Sequence, residues 1–268
     1  MRIVVCVKEV LDPDAVNNYA LVGRLVIGDD GRTLTQASIP RLMNAYDEQA
    51  IEAALRLRDA GGECTITVVS VGADPVAILR HAAALGADEI AAVPVDAAAL
   101  DGQATARVLA AFVRHGGGAD LVLCGRQASD DDQGVVPAVL GEALGFPVVT
   151  VARAIALADG QSVRVTRVTP DGDEVVAARL PAIVTVSSEL GQPRYPTTAR
   201  KMAVRRMQPK VVQVADLGLG PDELAPRVRL VRQFVPTVQG QCEMITGGTP
   251  AEAARRLVER LRAESVLS

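Results

Sequence analysis

The sequence has no tryptophan, two histidines and four cysteines in 268 residues, and only 2% of it is aromatic. So few aromatics leave no stacking platform for single-stranded nucleic acid. His81 and His115 stand alone on helix-like stretches, which argues against a Ser–His–Asp triad or a multi-histidine metal centre. Cys6, Cys64, Cys124 and Cys242 are scattered with no C-x-x-C spacing. They are expected to be reduced thiols of a cytosolic protein, with no zinc site and no disulfide framework. No apolar run reaches ~18 residues, so no transmembrane helix and no membrane insertion are expected. The opening run, Ile3 to Val7, is too short for a signal-peptide core, which makes a cytoplasmic location the expectation. A net charge of −4 argues against a chain-wide nucleic-acid surface.

What is present is a large apolar fraction, 49%, enough for a sizeable core. The first 150 or so residues alternate short β-branched runs with helical stretches. Arg2–Val7 reads as a strand buried on both faces, and Thr65–Val71, Asp88–Val93, Ala119–Cys124 and Val148–Val151 read as further strands. Helices are expected at Asn44–Asp59, with Asn44 as N-cap, and at Pro75–Leu85, Gln103–Val113 and Val136–Leu144. Residues 12–41 read as a polar excursion with a short hairpin at Gly28-Asp29-Asp30-Gly31. The alternation predicts an α/β fold: a doubly wound parallel sheet in three α/β/α layers, with ligands beyond the carboxyl ends of the strands. Past Val151 a hairpin is expected around Pro170-Asp171-Gly172-Asp173, then a strand at Ile183–Ser187. A basic stretch, Arg194 to Lys210, and a Pro- and Gly-punctuated arm follow, closing on a helix from Thr249 to about Ala263. The expected organisation is an α/β domain over 1–190, a basic loop over 191–210 and a C-terminal arm over 211–268.

The segment with most chemical content is Gly125-Arg126-Gln127-Ala128-Ser129-Asp130-Asp131-Asp132-Gln133-Gly134, which follows a strand and opens a helix. Free N–H groups at such a helix start receive anions. Three aspartates suit a phosphate poorly. They read either as ribose acceptors or as a solvated, helix-capping loop. Asn44 to Ala50 reads as a helix cap or a ligand contact, and Ser70-Val71-Gly72 as a turn or a close backbone approach. Asp101 to Ala106 opens another helix, where Thr105 is placed to touch a diphosphate or to serve the cap. The chain has neither a G-x-G-x-x-G nor a Walker A pattern.

Together these segments resemble the β subunit of electron transfer flavoprotein. Val4-Val5-Cys6-Val7-Lys8-Glu9-Val10 is similar to V-A-V-K-x-V, and Met43 to Ala50 to M-N-P-x-D-E-x-A. Val69 to Gly72 is similar to V-S-x-G, Ala84 to Asp88 to A-x-G-A-D, and Gly125 to Asp132 to G-[KR]-Q-A-x-D-x-D. Leu180 to Thr185 is similar to L-P-A-V-x-T, and Pro193-Arg194-Tyr195 to P-R-Y. The resemblance implies an adenine-nucleotide α-hydrolase-like fold and a heterodimer with an α subunit. FAD would sit at their interface and shuttle electrons from a flavin dehydrogenase to a quinone oxidoreductase or other acceptor.

The same resemblance implies nucleotide binding for the domain over 1–190 and partner recognition for the loop over 191–210, with AMP or a second FAD in this subunit. The nucleotide would lie against Cys6, Val7, Asn44, Val71, Gly72, Thr105, Gly125, Arg126, Gln127, Asp130, Asp132, Gln133, Gly134, Val135 and Val136. Partner binding would fall to Arg194, Tyr195, Thr198, Arg200 and Lys201. The role implied is electron carriage, with NADH-dependent flavin reduction if the complex bifurcates electrons, and no residue acting as a bond-making catalyst. AMP-holding members read D-D-D-x-N-Q-T-G, whereas here Asp132 is followed by Gln133-Gly134-Val135-Val136-Pro137, which tilts the expectation toward FAD. The Leu-Pro that follows R-Y-x-T in members serving acyl-CoA dehydrogenases is absent, so a different dehydrogenase is expected. The alternatives are a stand-alone nucleotide-binding regulator similar to universal stress proteins and an ATP-pyrophosphatase. Each lacks its phosphate loop here.

Overall fold

Continuous β-branched sequence builds the centre of the molecule, as a strand covered on both faces requires. The computed structural model describes residues 1–35, 37–96, 99–235 and 242–267. Its elements run β1 (Arg2–Val7), β2 (Glu9–Leu11), α1 (Pro13–Leu21), β3 (Arg41–Met43), α2 (Ala45–Asp59), β4 (Thr65–Val71), α3 (Val76–Leu85) and β5 (Glu89–Val93). Then come α4 (Gly102–His115), β6 (Leu121–Gly125), α5 (Val135–Leu144), β7 (Val148–Leu157), β8 (Ser162–Thr169), β9 (Gly172–Arg179) and β10 (Ala182–Val186). The chain closes with α6 (Thr198–Val204), β11 (Lys210–Val211), α7 (Pro221–Leu224) and α8 (Pro250–Ala263).

The main sheet has the order β11-β5-β4-β1-β6-β10-β7-β8-β9. The pairings from β11 to β7 are parallel, and β8 and β9 complete an antiparallel edge. Along β1, Ile3, Val5 and Val7 pack toward α2 and α3, while Val4 and Cys6 pack toward α4 and α5. Helices therefore cover both faces, in the three layers expected. The chain steps from β1 to β4 to β5 in one direction and returns to place β6 on the other side of β1. The strand order reverses there, which opens a crevice at the carboxyl ends of β1 and β6.

Several elements differ from the sequence reading. The excursion over 12–41 contains α1, started by Pro13 and capped by the Asp12 carboxylate. The expected hairpin is held by a bridge between Ile27 and Leu34. β2 and β3 form a separate two-stranded sheet. β7 runs six residues past Val151, which sits at φ +61 with its N–H on the Thr185 hydroxyl at 2.9 Å. The basic stretch contains α6, capped by the Thr197 hydroxyl.

The described chain forms two compact units, Met1–Gln233 and Phe234–Ser268. Residues 211–233, read as the start of the arm, belong to the first: β11 extends the sheet and Val212 is buried. In the second, Thr249 caps α8, and Arg260 and Arg256 bind Glu243 and the Thr246 carbonyl. Leu257 and Val258 of its apolar stripe are exposed. Among the described residues no helix is long and apolar enough to cross a membrane, no group of three or more side chains is arranged to hold a metal, and all four cysteines are free.

Candidate functional site

The crevice at the strand crossover is built from the ends of β1, β4 and β6. Parallel registry sets Cys6 beside Cys124 and Val7 beside Ser70. Val71 ends β4, and beyond it the backbone at Gly72 is open: a Cβ there would meet nothing within 4 Å. The structure thus gathers Cys6, Val7, Val71, Gly72 and Gly125 along one edge of the sheet.

Above that edge runs the loop from Gly125 to Gly134, and the first turn of α2 holds it. Asn44 occupies the N-cap position but makes no capping bond. Its amide donates to the Gln127 carbonyl at 2.8 Å, and its oxygen accepts from Ser129 N at 3.2 Å. The expected helix cap is therefore a clamp on the loop. Asp47, 6% exposed, accepts from Lys8 N at 2.8 Å and from Gly125 N at 3.0 Å. Burial pushes its carboxyl up to about 7, against the opposing pull of the Lys8 amide, Asn44 and the Gly125 amide. Gly125 packs so closely that a Cβ would strike the Asp47 carboxylate and lie 2.9 Å from Asp47 N.

The three aspartates turn onto the protein rather than onto the helix. Lys8 Nζ binds Asp130 at 2.7 Å and Asp131 at 3.4 Å, and Asp131 also accepts from Gln133 N at 3.2 Å. Asp132 accepts from the Gln127 side chain at 2.7 Å, and the Gln127 oxygen accepts from Arg126 Nε at 3.1 Å. The Arg126 guanidinium lies 5.5 Å from the Tyr46 ring centre. No carboxylate of the run caps α5. That helix starts from Gly134 in a left-handed conformation (φ +62) with no side-chain cap. The amides of Val135 and Val136 therefore open the helix free of side-chain acceptors, in the geometry that favours an anion.

The start of α4 stands beside the start of α5: a Cβ on Gly102 would lie 3.6 Å from Val135 and 3.7 Å from Val136. This brings the Thr105 segment to the candidate site. Asp101, not Thr105, caps α4, accepting from Ala104 N at 2.8 Å. It also accepts from Arg227 N at 2.5 Å and Val228 N at 2.9 Å, which ties that segment to the site. Two hydroxyl oxygens, Ser70 Oγ and Ser129 Oγ, are buried without a protein partner, and Ser70 is only 1% exposed. Such groups ordinarily find partners, so their solitude fits a polar ligand. Asp47, Ser70 and Ser129 lie within segments that the sequence singles out, but none of the three stands among the candidate site residues. Only the lone Ser in a strand-end turn and the carboxylate at the third turn position of α2 hint at them.

The residues expected to meet a partner divide. Arg194 is turned inward: its Nε binds Glu52 at 2.7 Å and its Nη2 binds Asp59 at 2.8 Å. Arg200 donates to the Leu85 carbonyl at 3.2 Å. Tyr195 is 80% exposed, and Thr198 and Lys201 lie on the exposed face of α6. Burial pushes the Glu52 carboxyl up, but bonds from Arg194 and Arg56 outweigh it and hold it below the usual range. A depressed carboxylate stabilises the fold above its unfolded pKa and loses that contribution as pH falls through the folded value. Both guanidinium groups keep partial solvation, so Glu52→Ala is expected to cost about 2 kcal/mol at neutral pH rather than the ~3–5 of a fully buried pair. Urea unfolding of variant and parent at neutral and acidic pH checks this. The difference should shrink in acid, and an undiminished difference would contradict it.

A model of the electron transfer flavoprotein domain matches residues 32–216. The chain is 33% identical over 272 residues to caffeyl-CoA reductase-Etf complex subunit CarD of Acetobacterium woodii, covering all of both chains. It is 32% identical over 274 residues to electron transfer flavoprotein subunit beta of Thermoanaerobacterium thermosaccharolyticum, again covering all of both. It is also 31% identical over 286 residues to acryloyl-CoA reductase electron transfer subunit gamma of Anaerotignum propionicum, with the same full coverage.

Proposed function

The chain belongs to the electron transfer flavoprotein family, as a β subunit that carries electrons together with an α subunit, and from that premise we propose that its crossover site holds an adenine nucleotide, FAD in preference to AMP. The observation that carries the proposal is the start of α5: a left-handed Gly134, no side-chain cap, and free amides on Val135 and Val136. The open backbone at Gly72 and the solitary Ser70 and Ser129 hydroxyls suit the remaining polar edges of a nucleotide. The first turn of α5 is apolar, Val135-Val136-Pro137, and carries no side-chain donor for a terminal phosphate. A diphosphate bridged by main-chain amides suits that turn better than a phosphomonoester.

A bound flavin supplies the one- and two-electron chemistry, and no side chain of this subunit needs to act as a nucleophile or general base. This chain's residues bind and orient. Asn44 and Asp47 fix the loop Gly125–Gly134, Lys8 neutralises Asp130 and Asp131, and Arg126 brings positive charge to the rim against Tyr46. FAD held at the boundary with the α subunit completes the carrier. Electron bifurcation would require the second flavin in the crossover site.

One relative is named as a subunit of a caffeyl-CoA reductase-Etf complex, and another as an electron transfer subunit of acryloyl-CoA reductase. On that likeness the proposed redox partner is a flavin-dependent enzyme acting on a CoA thioester. The exposed Tyr195 and Lys201 would meet it, and the segment Phe234–Ser268 would embrace the α subunit.

Co-expression with an α subunit, denaturation and chromatographic quantification of FAD and AMP test the nucleotide. Two FAD per heterodimer and no AMP are expected. One FAD and one AMP would overturn the choice of FAD, and one FAD alone would overturn an occupied crossover site.

A further inference from the structure

Asp47 bridges the ends of two neighbouring strands, β1 and β6, just beyond their last paired residues Cys6 and Cys124. One carboxylate oxygen takes the Lys8 amide at the end of β1, and the other takes the Gly125 amide at the end of β6. Gly125 is the first residue of the loop, and its neighbour Arg126 is fixed in turn by the Val186 carbonyl at 2.9 Å. The sheet pairing sets the spacing of the two strands, and this one buried side chain holds the Lys8 and Gly125 amides where the loop leaves the sheet. We propose that Asp47 is a positioning residue for the nucleotide, acting through the main-chain amides of Lys8 and Gly125 to set how firmly the loop Gly125–Gly134 closes on its ligand. The inference rests on the nucleotide reading given above.

The bridge is proton-sensitive by construction. An ionised carboxylate offers an acceptor to each amide. A protonated one carries its hydrogen on one oxygen, which loses its charge and accepts more weakly, so one of the two amides is held less firmly. Burial holds the carboxyl up at about 7, so this exchange falls in the neutral range. The ionised, doubly bonded form is the one that shapes the loop, so affinity should fall as pH drops through neutrality.

The groups facing Asp47 are few. From β1 comes Lys8, whose ammonium is committed to Asp130 and Asp131. From β6 comes Cys124, whose thiol is pushed up by Cys6 and by burial and stays neutral. The loop adds Arg126, lying over Tyr46. On α2 itself Glu48 is paired with His81 of α3 at 2.7 Å.

Asp47→Asn keeps the shape, removes the charge at every pH and leaves one acceptor oxygen for the two amides. The full chain, freed of nucleotide, is titrated calorimetrically with FAD and with AMP between about pH 5.5 and pH 8.5. AMP has its own ionisation near ~6, whereas the diphosphate of FAD does not titrate there. Subtracting the variant's profile removes the ligand's share. At the alkaline end Asp47→Asn should bind about tenfold more weakly than the parent, a one-unit linkage. The two should converge at the acid end, and His81→Gln should keep the parental slope.

A variant as tight as the parent in alkali, a variant that keeps the parental slope, or a slope that vanishes in His81→Gln would each overturn the role of Asp47 and leave the nucleotide reading intact. Absence of FAD and AMP binding in the parent at every pH would overturn both. Should Asp47→Asn not fold, hydrogen exchange of the Gly125 and Lys8 amides in the parent decides the matter. Their protection, corrected for intrinsic rate, should drop between about pH 8 and pH 6, and constant protection would overturn the inference.

Discussion

Gly125→Ala should lower the melting temperature by about 10 °C and leave the purified complex without nucleotide at the crossover site. The added Cβ would meet the Asp47 carboxylate, lie 2.7 Å from Tyr46 Cβ and 2.9 Å from Asp47 N. A long flexible side chain could step aside. The Tyr46 and Asp47 atoms cannot, because they belong to the first turn of α2, which is anchored by its own helix and by Asn44. Ordinary overpacking costs ~1–3 kcal/mol, and contact with helix backbone and a buried carboxylate puts this substitution at the upper end, about 3 kcal/mol. Separating α2 from β6 would also break the Asp47 bond to Gly125 N and release the loop. Thermal unfolding by circular dichroism, with nucleotide quantified on the same sample, measures both effects. A parental melting temperature with full nucleotide would show that the close approach at Gly125 carries neither stability nor binding.

The second large effect is expected at Gly134, where binding should suffer far more than stability. Gly134 has φ +62, and a Cβ there would lie 3.0 Å from the Arg126 carbonyl. Valine in that conformation carries ~1–3 kcal/mol of strain, since both branches crowd its own backbone. The chain can relieve the strain by turning the peptide at Gly134 out of the left-handed region. That movement swings away the amides of Val135 and Val136, which open α5. Gly134→Val is therefore expected to weaken the adenine nucleotide by about a hundredfold, or about 2.7 kcal/mol, while lowering stability in the nucleotide-free state by only about 1–2 kcal/mol. Calorimetric titration beside urea unfolding separates the two. Equal losses in both would mean that Gly134 acts on the whole fold rather than on the start of α5.

Much of the architecture was legible because most core strands are short apolar runs with a glycine or proline at one end, and several helices carry their own start signal. Thr65–Val71 and the helix from Pro250 to Ala263 appear where the residues place them. In sequence the strand from Val148 ends at Val151, and that residue is the point of distortion: it takes a left-handed turn rare for a β-branched side chain, and the strand continues to Leu157. The bond from Val151 N to the Thr185 hydroxyl fixes that corner, and Thr185 lies thirty-four residues away. No local pattern reports such a partner. The helices α1 and α6 were hidden for a related reason. Each is short and polar and bears no buried residue, so neither shows an apolar stripe.

The sequence by itself determined the layered α/β class, the family likeness and the segments that form the candidate site, because periodicity, turn residues and motif order are local properties. Tertiary structure decided what the site residues do. Asn44 looks like a helix cap in sequence and is a clamp on Gln127 and Ser129. Three aspartates look like an exposed acidic run and are held by Lys8 and Gln127. Arg194 reads as a free cation on a basic face and is committed to Glu52 and Asp59. Asp47 looks like first-turn helix decoration and joins β1 to β6 through two amides seventy-eight and thirty-nine residues away. A side chain's hydrogen-bonding capacity is written in its identity. The partner that satisfies it is chosen by burial, and burial exists only once distant strands have been brought side by side.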